Sequence, residues 1–286
     1  MLKAIRNMKN IRTWFITGAS KGLGLILVKQ LLEAGQNVAA TSRDLDALIT
    51  AVGITAPNFL PLQVDLGNED SVGCAIHQAN LAFKSIDVVI NNAGYGIGGS
   101  IEELSDRETR NSFEINVFGT LNVIRLVMPY MRSQMSGHII NISSIAGITA
   151  MTGWSVYAAT KYSIVGLSEV LAQDVAEFGV KVTVVAPGAF RTNFLHPDSI
   201  NVAKHTISEY TTMHRAQEML LKNDGKQSGD PEKAAAAIID TAHMENPPLY
   251  LLLGEDAYNR AMAKLDKLKA DYLLNEELSK AMAYNG

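Results

Sequence analysis

Three groups of residues in this 286-residue chain have the types and spacing for chemistry. The first is a glycine-rich run near the start, Thr17-Gly18-Ala19-Ser20-Lys21-Gly22-Leu23-Gly24. Glycine reaches positive φ freely and carries no Cβ, so such a run turns tightly and lets a ligand approach the backbone. Between a strand and a helix, its free amides and the helix dipole favour an anion such as a diphosphate. The second group is Tyr157 and Lys161, four apart and so on one face of a helix. A free phenol titrates near ~10 and a lysine near ~10.4; a nearby ammonium favours phenolate and makes the tyrosine a usable acid/base. The third is Ser143-Ser144, with Ser144 thirteen residues ahead of the tyrosine. A hydroxyl there can stabilise charge developing on a substrate oxygen. Alone, a Tyr-x-x-x-Lys pair is usually an aromatic edge beside a solvated lysine; its place in the chain gives it weight.

The elements that must position these residues follow from periodicity. Short β-branched runs alternate with longer helical stretches. Strands are expected over 13–17, 37–41, 59–64, 86–90, 138–142 and 180–185, with 249–253 as a seventh. Helices are expected over 23–33, 44–50, 68–84, 106–134 and 154–178. Continuous apolar strands, each followed by a helix, imply a parallel sheet covered on both faces. The expected fold is α/β: a single doubly wound, Rossmann-type domain of about seven mostly parallel strands, spanning 13–286 after an extension over 1–12. Residues 189–229 hold no clear strand and lie beyond a strand's carboxyl end, where open α/β sheets bind ligands, so they are expected to form a lid. Asp230-Pro231-Glu232 reads as a helix N-cap with Pro at the first helical position. Residues 254–286 read as amphipathic helices that pack onto the domain or onto another subunit.

The glycine spacing, Gly-x-x-x-Gly-x-Gly, resembles that of the classical short-chain dehydrogenase/reductase family. Further matches come in the family's order: Asn91-Asn92-Ala93-Gly94 after the fourth strand, Asn116 in the long helix, Ser144 after the fifth strand, Tyr157-Ala158-Ala159-Thr160-Lys161 opening the next helix, and Pro187-Gly188 with Thr192 after the sixth. The resemblance covers roughly 13–192. It implies that Tyr157 passes a proton to or from the reacting oxygen while a nicotinamide cofactor carries hydride. It further implies that Ser144 hydrogen-bonds that oxygen, that Lys161 lowers the tyrosine pKa and binds the nicotinamide ribose, and that Asn116 holds a water linking Lys161 to solvent. Gly18, Ser20, Lys21, Gly22, Leu23 and Gly24 would hold the diphosphate, and Asn92, Ala93 and Gly94 would admit the adenosine side. Asp65 would meet the adenine amino group and Leu66 its ring, although a lone Asp after a strand is commonly a turn former. Pro187, Gly188 and Thr192 would border the nicotinamide.

In this fold an acidic residue ending the second strand binds the ribose of NAD, whereas an Arg accommodates the 2′-phosphate of NADP. Here Ser42 stands at that position, followed by Arg43, with Lys21 in the glycine loop. NADP(H) is therefore expected over NAD(H). Asp44 is one residue late and is expected to cap the next helix. Phe190, Phe194 and Met213, together with Ser144, are the candidate substrate contacts and suggest an apolar pocket.

Composition narrows the alternatives. Hydrophobic residues make up 47% and charged residues 19%, which suits a chain with a sizeable core. The net charge of −4 offers no basic surplus for nucleic acid. A single cysteine, Cys74, excludes an intrachain disulfide. The six histidines show no metal spacing, and no apolar run approaches the ~18 residues of a membrane span. The start lacks a signal-peptide core, so a cytoplasmic location is expected. There is no Gly-x-Ser-x-Gly for a serine hydrolase. The resemblance implies a homodimer or homotetramer acting on a small carbonyl or alcohol. The competing reading is a non-catalytic NADP-binding sensor or scaffold, but such proteins usually lose the Tyr or Lys kept here.

Overall fold

The computed structural model describes residues 10–196 and 199–284. In chain order the elements are β1 (Thr13–Ile16), α1 (Gly22–Glu33), β2 (Asn37–Ser42), α2 (Leu45–Val52), β3 (Phe59–Gln63), α3 (Glu69–Phe83), β4 (Val88–Asn91), β5 (Gly96–Gly98), α4 (Asp106–Phe113), α5 (Gly119–Gln134), β6 (Gly137–Ile142), α6 (Ser155–Asp174), β7 (Val180–Pro187), β8 (Ile200–Val202), α7 (Thr211–Leu221), α8 (Pro231–Ala242), β9 (Tyr250–Leu253), α9 (Glu255–Leu274) and α10 (Glu276–Lys280).

Seven strands form one sheet in the order β3-β2-β1-β4-β6-β7-β9, and every pair in it is parallel. Alternation along each strand explains the layering. Trp14 and Ile16 of β1 pack under α1, α2 and α8. Phe15 between them points to the other face, against α3 and α5. The chain runs outward from β1 to β3, then returns to place β4 on β1's other side. The crevice at the carboxyl ends of β1 and β4 is thus the topological switch point, where such sheets bind ligands.

The structure departs from the sequence expectations in three places. The stretch over 106–134 is not one continuous helix: a π-helical turn, Glu114–Phe118, joins α4 to α5. The lid segment is not strandless, because β8 pairs in parallel with β5 as a separate two-stranded sheet. Three-residue strands carry too little periodicity to be seen in sequence. The carboxyl-terminal helix buries only Ala257 and Ala261 among the described residues, while Leu265 and Leu274 of its apolar series are exposed. The N-terminal extension lies outside the described residues as far as residue 9. Its last residue, Arg12, is tied down by backbone and guanidinium hydrogen bonds to Gln36 and to the Ala242 carbonyl. The expected cap holds: Asp230 accepts from Glu232 N–H, with Pro231 opening α8.

Candidate active site

The glycine loop fits so closely that side chains are excluded. Gly18 has φ +67°, and a Cβ there would lie 2.7 Å from Ala93 Cα. A Cβ on Gly24 would stand 2.4 Å from the Gly18 carbonyl oxygen. At Gly22 the same atom meets only Thr192, at 3.9 Å, because that residue faces open cleft. The loop is clamped from β4. Thr17 Oγ1 accepts the backbone N–H groups of Asn92 and Ala93, both at 3.1 Å. Asn92 Nδ2 donates to the Thr17 and Gly18 carbonyls, both at 3.0 Å. The Asn92 amide nitrogen is therefore committed to holding the loop.

A cleft of about 1230 Å³ opens above this loop. Gly18, Ser20, Lys21, Gly22 and Leu23 line its floor, and Ser42, Arg43, Asp44 and Leu66 line one end. Asn92, Ala93, Gly94, Pro187, Gly188 and Thr192 line it further along. Gly24 does not reach the surface of the cleft; it is packed beneath Gly18. Asp44 caps α2 through Ala47 N–H at 2.9 Å, as its position implied, and leaves exposed Arg43 as the charged side chain there. Asp65 stands outside the main cleft, in an adjoining recess with Arg43, Gln63 and Ser71. Its carboxylate accepts Gly67 N–H at 3.0 Å, the turn-forming role of an Asp after a strand.

At the other end, α6 brings Tyr157 and Lys161 beneath Ser144. The helix is fixed by a buried polar chain: Asn91 Nδ2 donates to Asn141 Oδ1, and Asn141 Nδ2 to Ser168 Oγ, each at 2.9 Å. The Ser144 hydroxyl acts on the Tyr157 phenol and favours its ionised form. Ser143, the competing serine, donates to the Lys161 carbonyl at 2.9 Å and so serves the scaffold. Lys161 Nζ donates to the Ile142 carbonyl at 2.9 Å and lies 5.9 Å from the Tyr157 ring centre.

The electrostatics of this pair differ from the sequence expectation. Burial pushes the Tyr157 phenol up to about 12, against the opposing pull of the Ser144 hydrogen bond. Burial also brings Lys161 down to about 8. Taking both groups out of water outweighs the help an ammonium gives a phenolate. The protein alone therefore presents a protonated phenol at neutral pH.

Asn116 sits in the π turn, and its amide is hydrogen-bonded through both its oxygen and its nitrogen. Its Oδ1 accepts Tyr95 N–H and its Nδ2 donates to the Tyr95 carbonyl, both at 3.0 Å, with Thr160 Oγ1 at 3.2 Å. It does not line the cleft. Its side chain clamps the β4–β5 loop to α6.

The segment after β7 forms the remaining wall. Phe190 and Phe194 line the cleft, and the Phe194 ring centre is 5.8 Å from that of Tyr157. Met213 does not line it; it is buried beneath Gly153. Tyr95, Met151, Leu195, Leu220 and Gln227 do line it, and the sequence reading missed them. They reach the wall through the β5–β8 pairing and the lid's return, which leave no local periodic signal. The lid is anchored by Glu103, which is buried and accepts from Ile207 N–H at 2.8 Å and His214 Nε2 at 2.7 Å. Burial alone would raise this carboxyl, but the hydrogen bonds from Ile207, Ser100 and His214 more than offset it and hold it at about 2.

The arrangement can cradle a dinucleotide: a glycine floor that a Cβ would fill, a helix N-terminus behind it, and a tyrosine-serine pair at the far end. Comparisons with known proteins agree. The sequence model of the short chain dehydrogenase family matches residues 12–202. The oxidoreductase BOA17 of Botryotinia fuckeliana is 36% identical over 275 residues, 95% of this chain and 99% of that protein. The 3-ketodihydrosphingosine reductase of Bacteroides thetaiotaomicron is 36% identical over 239 residues, 84% of this chain and 86% of that one. A short-chain dehydrogenase from Streptomyces avermitilis superposes with a TM-score of 0.87 at 33% identity, over 95% of this chain and all of that one. More distant structures share the fold: one from Burkholderia phymatum with NAD (22% identity, TM-score 0.80, 92% and 95% covered) and one from Burkholderia cenocepacia with NADP (24%, 0.72, 92% and 97%).

Proposed function

The chain belongs to the short-chain dehydrogenase family of nicotinamide-dependent oxidoreductases, and from that premise we propose that it is an NADPH-dependent carbonyl reductase. Its reaction is hydride transfer between NADP(H) and a carbonyl or the matching primary or secondary alcohol of a mainly apolar small molecule. The observation that carries this reading is the joining, in one cleft, of a glycine floor with Tyr157, Ser144 and Lys161 at its far end. When bound, the nicotinamide supplies the hydride. Tyr157, protonated at neutral pH, gives its phenolic proton to the carbonyl oxygen. Ser144 hydrogen-bonds the same oxygen and stabilises the charge growing on it. Lys161 orients the ribose and keeps positive charge beneath the phenol. Asn116 fixes the loop under both.

Preference for the phosphorylated cofactor rests on Arg43 at the cleft's end and on Ser42 where an acidic residue would repel phosphate. Asp65 and Leu66 remain candidates for the adenine. Residues 189–229 act as the substrate lid over one domain spanning 13–286, with Phe190 and Phe194 making its apolar wall. The relative from Bacteroides thetaiotaomicron is named for reducing a ketone, which supports the direction. The enzyme is proposed to work in the cytoplasm as a homodimer or homotetramer; among the described residues no helix is long and apolar enough to cross a membrane.

The test is NADPH oxidation with a panel of ketones and aldehydes by wild type and Tyr157→Phe. Turnover by wild type, lost in the variant with NADPH affinity kept within a few-fold, is the expected result. Retained turnover in the variant would put the proton donor elsewhere. Tight NADPH binding with no turnover on any carbonyl would favour a binding-only role.

A further inference from the structure

Gln227 lies in the return from α7 to α8, on the wall of the cleft. It is 6% exposed, and its Oε1 has no hydrogen-bond donor among the described residues. Its backbone, in contrast, is firmly held. The Gln227 carbonyl accepts from Arg191 Nε at 3.2 Å and Nη2 at 3.0 Å. Two residues on, Gly229 donates to the Ala189 carbonyl at 3.0 Å and accepts from Arg191 N–H at 2.9 Å. The side chain is thus set in place by its backbone and then left without a partner.

A buried carboxamide lacking a hydrogen bond costs ~1–3 kcal/mol, and folded proteins keep few of them. This one shares its wall with Phe190, Phe194 and Leu220. An amide set beside apolar side chains adds little binding bulk; it discriminates, by rewarding a ligand that brings a polar group to that point. The terminal torsion of Gln is soft, so the oxygen accepts from a hydroxyl or amine and the nitrogen donates to it after a half-turn.

We propose that Gln227 is a specificity-determining residue, hydrogen-bonding a hydroxyl or amine that the substrate carries away from the reacting carbonyl. The substrate class then narrows from apolar carbonyls in general to apolar hydroxy- or amino-ketones. This assignment rests on the reductase reading and sharpens it.

The experiment compares kcat/KM of wild type and Gln227→Leu on a long-chain ketone and on isomers of it with a hydroxyl or amine at successive positions. NADPH affinity by fluorescence and the melting temperature are measured alongside. We expect one isomer to be favoured by wild type and to lose about tenfold in the variant. NADPH affinity should stay unchanged, the plain ketone should lose less than the favoured isomer, and the melting temperature should not fall. Equal losses on every substrate, or no favoured isomer, would overturn the assignment. NADPH affinity falling in step with activity would move Gln227 to the cofactor and overturn it as well. A melting temperature lowered by several degrees would make the amide structural, with the same consequence. Wild-type turnover of the plain ketone without discrimination overturns this assignment alone; no turnover of any of them overturns the reductase reading with it.

Discussion

Arg43 and the Tyr157–Lys161 pair carry the residue-scale predictions. An exposed guanidinium at the cleft's end gains most from a phosphomonoester, which it can bind through two parallel hydrogen bonds. Arg43→Ala should weaken NADPH at least tenfold more than NADH, measured as dissociation constants. Equal loss for both cofactors would sink the phosphate assignment. Lys161 titrates at about 8 in the folded protein and near its ordinary 10.5 when unfolded. Between those values the unfolded chain binds more protons, so this group makes stability rise with pH; below about 8 the folded state bears the whole cost of the buried charge. Relative to the non-titrating Lys161→Met, wild type should gain about 2 kcal/mol between pH 7 and pH 10 in urea unfolding. A flat difference would show that the ammonium is well solvated. Tyr157 works with the opposite sign but only above about pH 10, where the unfolded phenol ionises and the folded one, held at about 12, does not.

Among the elements, α9 matters more to the site than its place near the chain's end suggests. Asp256, in its first turn, accepts Ala189 N–H at 3.0 Å. A Cβ on Gly188 would come within 2.1 Å of the Asp256 carboxylate. The turn that borders the proposed nicotinamide position is therefore braced by a residue from the last helices, and Gly188 is glycine because that carboxylate occupies the space. Gly188→Ala should lower the melting temperature by about 3–8 °C and weaken NADPH binding. Adding Asp256→Ala should recover part of the lost melting temperature, because the obstruction goes with the carboxylate. Purely additive losses in the double variant would refute the packing explanation. The π turn at Glu114–Phe118 is a second such element, and it aims Asn116 at Tyr95 rather than along the regular helix ladder.

Over the whole molecule, several contacts stitch the lid to the body, among them β8 on β5, Glu103 on Ile207 and His214, and Gln217 Nε2 on the Gly153 carbonyl. Away from the cleft, the π turn and α6 expose large apolar side chains. Phe118, Tyr162 and Val170 are 49%, 42% and 57% exposed. If these elements pair copies of the chain, light scattering on a sizing column will give a multiple of 31.0 kDa. Phe118→Asp with Val170→Asp should then bring the mass down to one chain. An unchanged multiple would place the interface elsewhere, and a single-chain mass for wild type would exclude the dimer.

The sheet, the glycine floor and the tyrosine-lysine-serine group are legible in the sequence. Each is written locally: in alternation along strands, in residues that need a missing Cβ, and in a four-residue helical spacing. The caps at Asp44 and Asp230 are legible for the same reason, since a cap is a contact between near neighbours. Folding settles what depends on distant segments meeting. It broke the 106–134 helix at the π turn, paired the three-residue β5 with β8, and turned the Asn116 amide toward Tyr95. It replaced Met213 with Gln227 on the cleft wall. It also reversed the expected effect on Tyr157, because desolvation depends on everything packed around the phenol, from Trp154 to Phe194, and not on the lysine four residues away.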